Sequence, residues 1–186
     1  MIRIPSALVI LGCLALAAAA CASRPRQTPL PTTPVNEGAD TMSAVRKQLQ
    51  GQWTLVSLNV TAEDGRQQAI DASGLLNSDA FGNLHIEYRM SDAGQKSLGA
   101  LGIKTPNPVI STSGRVVIDP QKKLITYVGE DVKTQGFDPD LAARRANPFA
   151  LERARFYEFG ADGMLTLTSR YDNGKDAAVG RWKKSS

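Results

Sequence analysis

The chain has 186 residues, and its 22 Lys and Arg against 18 Asp and Glu give a formal net charge of +4. This length favours one domain. Two Cys and one His are too few for a zinc finger, a Cys/His metal cage or a disulfide-dense scaffold. The basic residues occur in short, scattered runs, whereas nucleic-acid binders concentrate them on one face. We therefore expect no metal, no cofactor and no nucleic-acid partner.

The first residues of the chain predict an export signal. Arg3 precedes an uncharged apolar run, residues 7–20, which is shorter than the roughly 20 residues of a membrane-spanning helix and suits a signal peptide. The run ends in Ala18-Ala19-Ala20-Cys21, which resembles the lipobox of bacterial lipoproteins, with Ala18 in place of the common Leu. The resemblance implies that residues 1–20 are removed and that Cys21 is acylated.

Acyl chains on Cys21 would hold the protein on a membrane. Ala22 rather than Asp after the cysteine implies, by the same resemblance, the outer membrane and a position facing the periplasm. Plain secretion after ordinary signal cleavage is the alternative. Residues 21–41 hold four prolines and no aromatic residue, so they predict a disordered, semi-extended tether.

Residues 42–186 hold every aromatic residue of the chain and therefore the packed core. Helices are predicted at Ser43–Gln50, near Ala93–Leu101, and in an insert from Asp138 to Asn147, which has a capping Asp and Pro at its start. Alternating apolar residues between turn residues predict strands. In chain order these are Trp53–Val60, Gln67–Ile70, Gly74–Leu76, Leu84–Met90, Val109–Thr112, Arg115–Asp119, Leu124–Asp131, Arg153–Phe159, Met164–Tyr171 and Ala177–Lys184.

Tight turns between successive strands favour an antiparallel up-and-down meander. Eight to ten such strands predict an all-β fold, a closed barrel with a short N-terminal helix and one helical insert. Closure removes exposed strand edges. The interior of such a barrel holds side chains alone or one small ligand.

Gly51-Gln52-Trp53 at the start of the first strand resembles the Gly-x-Trp motif of lipocalins. The segment 155–159 (RFYEF), then Leu165-Thr166-Leu167 and the closing Gly180-Arg181-Trp182, extend the resemblance to the bacterial lipocalin-like domain family of the calycin superfamily. It spans about residues 49–183. Two features depart from it: true lipocalins have a helix after the last strand, and the insert at residues 134–150 is longer and more charged here.

The resemblance implies a carrier of a small hydrophobic molecule, and it gives Trp53 a structural role. In such barrels the equivalent Trp closes the base, often beneath an Arg from a late strand. Arg155 or Arg181 would supply that guanidinium, in a cation–π contact of about 0.5–2 kcal/mol.

Eight side chains are predicted to point into the barrel and line any cavity. They are Leu84, Ile86, Tyr88, Met90, Tyr127, Phe156, Leu165 and Leu167. They either surround a ligand or pack against one another and leave no room, and the sequence leaves both possibilities open. An interior below roughly 300 Å³ would exclude a drug-sized ligand.

Three functions remain open at this stage. The first is ligand carriage by a monomeric envelope lipoprotein, and the second is a structural or interaction lipoprotein with a filled barrel. The third is an enzyme, for which His85 or Glu158 would have to point inward. His85 alternates with Leu84 and Ile86, which predicts an outward position, and Glu158 is a buried acid only if the face that it shares with Phe156 is interior. We do not expect catalysis.

Overall fold

The computed structural model describes residues 41–140, 144 and 146–185. The predicted signal, acylated Cys21 and tether up to Asp40 lie outside the described residues, as do residues 141–143 and 145 of the predicted helical insert. Neither described helix has the length and hydropathy needed to cross a bilayer. The helices and strands are α1 (Met42–Leu49), β1 (Gly51–Thr61), β2 (Gln67–Ala69), β3 (Ala72–Ser78), β4 (Asn83–Met90), α2 (Asp92–Ala100), β5 (Val109–Asp119), β6 (Leu124–Gln135), β7 (Ala154–Phe159), β8 (Met164–Arg170) and β9 (Asp176–Lys184).

The strands form one antiparallel sheet that closes on itself. Each strand from β3 to β9 pairs with the next, β1 pairs with β3, and β9 returns to pair with β1. Closure runs from Trp53 opposite Lys184 to Val60 opposite Ala178. The short β2 adds to the far half of β1, opposite Asn59–Thr61. The all-β barrel expected from the sequence is therefore confirmed, with eight strands in the closed ring and β2 outside it.

Two predicted strands, Val109–Thr112 and Arg115–Asp119, are one continuous strand, β5. The sequence Ser113-Gly114 indicated a break, but β5 continues here, and the pairing shifts register because residues 129–132 of β6 lie opposite Gly114 alone. A Cβ atom at Gly114 would lie 3.0 Å from Cγ2 of Val132, so the glycine lets β6 pass closely. β6 also continues to Gln135, beyond the predicted end at Asp131.

Helix α1 covers one end of the barrel. Thr41 caps it by accepting a hydrogen bond from the Ala44 amide, and Val45 and Leu49 are buried against the core. The indole Nε1 of Trp53 donates to the Leu49 carbonyl over 2.8 Å. The helix end and the first strand are therefore held together at this end, which we call the α1 end.

Helix α2 packs beside the opposite end of the barrel. The Ser91 hydroxyl accepts from the Gly94 amide, which caps the helix, and donates to the Asp71 carboxylate. Leu98 on this helix and Leu101 at its C-cap are buried in the core. A Cβ atom at Gly94 would collide with the Asp71 carbonyl oxygen, so α2 can approach the chain before β3 only because residue 94 has no side chain.

Candidate functional site

A small cavity lies inside the barrel, away from the α1 end. Its walls come from β4, β5, β7, β8, β9 and the segment just before β7. Its volume is about 30 Å³, enough for about two water molecules. The apolar part of the lining is Ile86, Ile110, Leu167, Ala178, Pro148 and Phe149, and the polar part is Tyr88, Ser111, Thr112, Arg155 and Ser169.

Residues 147–153, which we call the plug, close the barrel at this end. Asn147, Pro148, Phe149 and Ala150 are all buried, although none belongs to a strand. The Phe149 ring lies 4.9 Å from the Tyr88 ring, and Tyr88 lies 5.5 Å from Trp182. The plug therefore puts an aromatic side chain into the space that a ligand would need.

The plug is held by side chains that project from β7 and β8. Arg155 Nη1 donates to the carbonyls of Leu151 and Arg153 over 3.1 and 3.0 Å. Its Nη2 donates to the carbonyls of Phe149 and Ala150 over 3.1 and 2.9 Å. The Ser169 hydroxyl donates to the Pro148 carbonyl over 2.7 Å.

Arg155 is a buried charge, since only 8% of the residue is exposed. Among the residues that the structure describes, no carboxylate lies within ion-pair distance of its guanidinium. Burial lowers the pKa of Arg155, whereas the nearby phenols of Tyr127 and Tyr88 act in the opposite direction. Its guanidinium lies 5.3 Å from the centre of the Tyr127 ring. The interior of the barrel therefore carries a positive charge that backbone carbonyls and aromatic rings stabilise.

Two tyrosines complete the polar part of the interior. The Tyr127 hydroxyl donates to the Thr112 carbonyl over 3.3 Å, and burial raises the Tyr127 pKa. Burial raises the pKa of Tyr88 to about 12. The described residues give the Tyr88 hydroxyl no hydrogen-bond partner, although the side chain lines the cavity. This hydroxyl is available to a molecule inside the barrel.

Most of the side chains predicted to point inward lie in the core. Leu84, Ile86, Met90, Leu165 and Leu167 are buried, while Tyr88 and Tyr127 pack against the core from partly buried positions. Only Ile86, Tyr88 and Leu167 of this set line the cavity. The others fill the barrel nearer its ends or pack around the cavity.

Phe156 is placed on the opposite face from the one predicted. In β7 the buried residues are Arg155 and Tyr157, so Phe156 and Glu158 face outward. The guanidinium of Arg170 lies 4.1 Å from the Phe156 ring on this outer face. The sequence Arg-Phe-Tyr-Glu-Phe misled the prediction because its outward positions include an aromatic residue and its inward positions include a charge.

The cation above Trp53 is neither Arg155 nor Arg181. Lys184 Nζ lies 5.2 Å from the centre of the Trp53 ring and donates to the Gln48 carbonyl. Arg181 forms an exposed ion pair with Asp162, and the Arg155 guanidinium donates to carbonyls of the plug. Trp53 itself is buried at the α1 end, 6.2 Å from Phe159.

Neither residue on which the enzyme hypothesis depended reaches the cavity. His85 is half-buried on the outer side of β4, between the inward Leu84 and Ile86, and Glu158 is exposed. The described part of the chain contains no group of three or more His, Cys, Asp or Glu residues that could hold a metal ion. The third hypothesis is therefore left without its catalytic groups.

The comparisons with known proteins do not assign the chain to a family. No family description and no curated protein matches the sequence. Among solved structures, a redesigned β-barrel matches with 14% identity and a TM-score of 0.34, over 76% of this chain and 95% of that one. At these values the match carries no argument about function.

The plug was not predicted from the sequence. Asn147-Pro148 indicated only the end of a helical insert, and Phe149 was not among the candidate residues. An aromatic residue directly after this Pro, in an otherwise charged insert, was the available signal. Ser169 alternates with Leu165 and Leu167 on β8, so its inward position could have been predicted from that pattern.

Proposed function

We propose that this protein is an exported lipoprotein, held on the membrane through acylated Cys21, whose barrel binds a small molecule at the end closed by the plug. The observation that carries the proposal is the plug itself. In this part of the barrel a non-strand segment fills space beside the strand side chains, through Phe149. A segment of this kind can leave without any strand pairing being broken.

The walls behind the plug suit a molecule with an apolar body. Ile86, Ile110 and Leu167 line the cavity from three different strands. Movement of Phe149 would add the volume of its ring to the present 30 Å³. The ligand therefore competes with the plug, and its affinity is reduced by the free energy of displacing it.

A filled barrel without a ligand is the second candidate, and the volume of the cavity favours it. About 30 Å³ is far below the roughly 300 Å³ of a typical ligand pocket. In this case the plug is a permanent part of the core, and the protein acts through its surface or its place at the membrane.

Binding to the full-length protein in lipid nanodiscs distinguishes the two candidates. Both Trp residues of the chain, Trp53 and Trp182, are buried in the barrel, so Trp fluorescence reports on the barrel alone. We expect at least one of 1-hexanol, hexanoate and hexylamine to bind the wild-type protein. Phe149→Ala should bind that probe about tenfold more tightly, because no ring has to be displaced.

Phe81→Ala is the matched control, since Phe81 is 82% exposed on a turn. This variant should bind as the wild type does. Binding by Phe149→Ala alone would mean that the substitution created the cavity, and binding by neither protein would mean that the barrel has no site. Either result supports the filled barrel and contradicts the proposal.

The membrane anchor is tested separately by labelling cells with radioactive palmitate. The full-length protein should incorporate the label, and Cys21→Ser should not, because the acceptor thiol is missing. Cys13→Ser, which changes the other cysteine of the chain, should still be labelled. Label in Cys21→Ser, or loss of label in Cys13→Ser, would contradict the assignment of the acylated residue.

A further inference from the structure

The guanidinium of Arg155 lacks the partner that a buried cation ordinarily has. Transfer of a charge from water into a protein interior costs several kcal/mol unless an opposite charge or several hydrogen bonds compensate. The nearest acid that influences Arg155 is Glu152, which is partly exposed and forms its ion pair with Arg144 over 2.9 Å. Hydrogen bonds and the Tyr127 ring, rather than an opposite charge, therefore compensate the charge of Arg155.

All the hydrogen bonds from the Nη atoms of Arg155 end on the plug. The acceptors are the carbonyls of Phe149, Ala150, Leu151 and Arg153. Ser169 likewise donates to the plug, through the Pro148 carbonyl. When the plug leaves, both side chains lose their acceptors at the same time, inside a barrel whose other walls are largely apolar.

A molecule that replaces the plug must therefore supply acceptors to these donors. A carboxylate matches the planar guanidinium with two oxygens and also neutralises its charge. The Tyr88 side chain lines the same cavity, and its hydroxyl, which has no hydrogen-bond partner among the described residues, can donate to one of those oxygens. An alcohol offers one weak acceptor, and an amine would place a second cation beside Arg155.

We propose that the ligand of this barrel is an organic acid with one carboxylate and an aliphatic body, and that Arg155 and Tyr88 bind the carboxylate. The plug makes the contacts that such a ligand would make. Its carbonyls accept hydrogen bonds from the Arg155 guanidinium, and its Phe149 ring packs in the apolar part of the interior. This inference rests on the proposed function, because it names the chemical class of molecule that binds at the same site.

The test compares hexanoate, 1-hexanol and hexylamine, which share one aliphatic body and differ in the head group. With the full-length protein in nanodiscs, followed by Trp fluorescence, hexanoate should bind about tenfold or more tightly than hexanol, and hexylamine should bind most weakly. Hexanol binding as tightly as hexanoate would overturn the inference and leave the proposed function standing. Binding by none of the three would overturn both.

Two substitutions test the assigned residues. Arg155→Met should abolish the preference for hexanoate over hexanol, and Arg181→Met, which removes an exposed Arg on the outer face, should keep it. Tyr88→Phe keeps the ring in place and should weaken hexanoate binding about threefold to tenfold without changing hexanol binding. Because Tyr88→Phe removes only a hydroxyl without a partner in the described part of the chain, it remains informative if Arg155→Met does not fold. An unchanged preference in Tyr88→Phe would remove Tyr88 from the site, and an unchanged preference in folded Arg155→Met would overturn the inference.

Discussion

Arg155 shows how a single residue can link folding to binding in this barrel. Its backbone belongs to β7, whereas its guanidinium holds the carbonyls of the plug. The charge is compensated only while those carbonyls are in place. The residue therefore stabilises the closed barrel, and it also favours replacement of the plug by another group that offers oxygen atoms.

Tyr88 predicts a specific loss of stability at high pH. An unfolded Tyr ionises near pH 10, whereas burial raises the pKa of folded Tyr88 to about 12. The folded state thus keeps a proton that the unfolded state loses. The stabilisation is complete below pH 10 and is lost as the pH rises from 10 towards 12.

Urea unfolding of the wild type and Tyr88→Phe, followed by Trp fluorescence, measures this effect. Between about pH 9 and about pH 11, the wild type should lose about 1 kcal/mol more of its free energy of unfolding than the variant does. Every other residue is the same in the two proteins, so the difference between them reports on Tyr88. Equal losses would mean that the pKa of Tyr88 is the same in the folded and unfolded states.

At the scale of single elements, the position of α2 depends on the close approach of Gly94 to the Asp71 carbonyl. Gly94 faces the Asp71 carbonyl with no space for a methyl group, whereas a Cβ atom at Gly99 on the same helix meets nothing within 4 Å. Ala is the better helix former at both positions, by about 1 kcal/mol. Substitution of the two glycines by Ala therefore distinguishes the effect of helix propensity from the effect of packing against Asp71.

We expect Gly94→Ala to destabilise the protein by about 1–3 kcal/mol, because α2 must shift away from Asp71. Gly99→Ala should be neutral or stabilising by up to about 1 kcal/mol. Urea unfolding measures both. Similar effects of the two substitutions would show that the contact of Gly94 with Asp71 does not limit the position of α2.

The strands were largely predictable because their apolar residues alternate and their turns contain Gly, Asp and Asn. Leu84–Met90 follows this pattern cleanly, and its alternation gave the outward position of His85 correctly. The interior site was not predictable in the same way. Arg155 is a charged residue at an inward position of β7, so hydrophobicity alone placed its neighbour Phe156 inside. The plug has no periodic pattern, so Phe149 was not among the predicted site residues.

At the scale of the whole molecule, the pairing of β6 with β7, which we call the seam, is the shortest strand pairing in the closed ring. The register of β6 with β7 covers two residue pairs, Leu124 with Phe156 and Ile125 with Arg155, and a hydrogen bond from the Tyr157 amide extends it, whereas β8 and β9 pair along most of their length. The seam borders the plug, since Arg155 pairs with Ile125 in the seam and donates hydrogen bonds to the plug. Local opening should therefore begin between β6 and β7.

Hydrogen exchange of the full-length protein in nanodiscs tests this expectation. The Tyr157 amide, which donates to the Lys123 carbonyl across the seam, should exchange at least about tenfold faster than the amides shared by β8 and β9. Hexanoate should slow exchange at the seam. Uniform rates around the ring would mean that the barrel opens only by unfolding as a whole.

The start of β1 and the end of β9 lie next to each other at the α1 end. Trp53 near the start of β1 lies opposite Lys184 in β9, and the Ser185 amide donates to the Gln52 carbonyl. A fluorescent protein fused after β9 would therefore sit next to α1. The tag would not cover the opposite end, which the plug closes, so binding of a labelled acid there could be followed by energy transfer within one tagged chain.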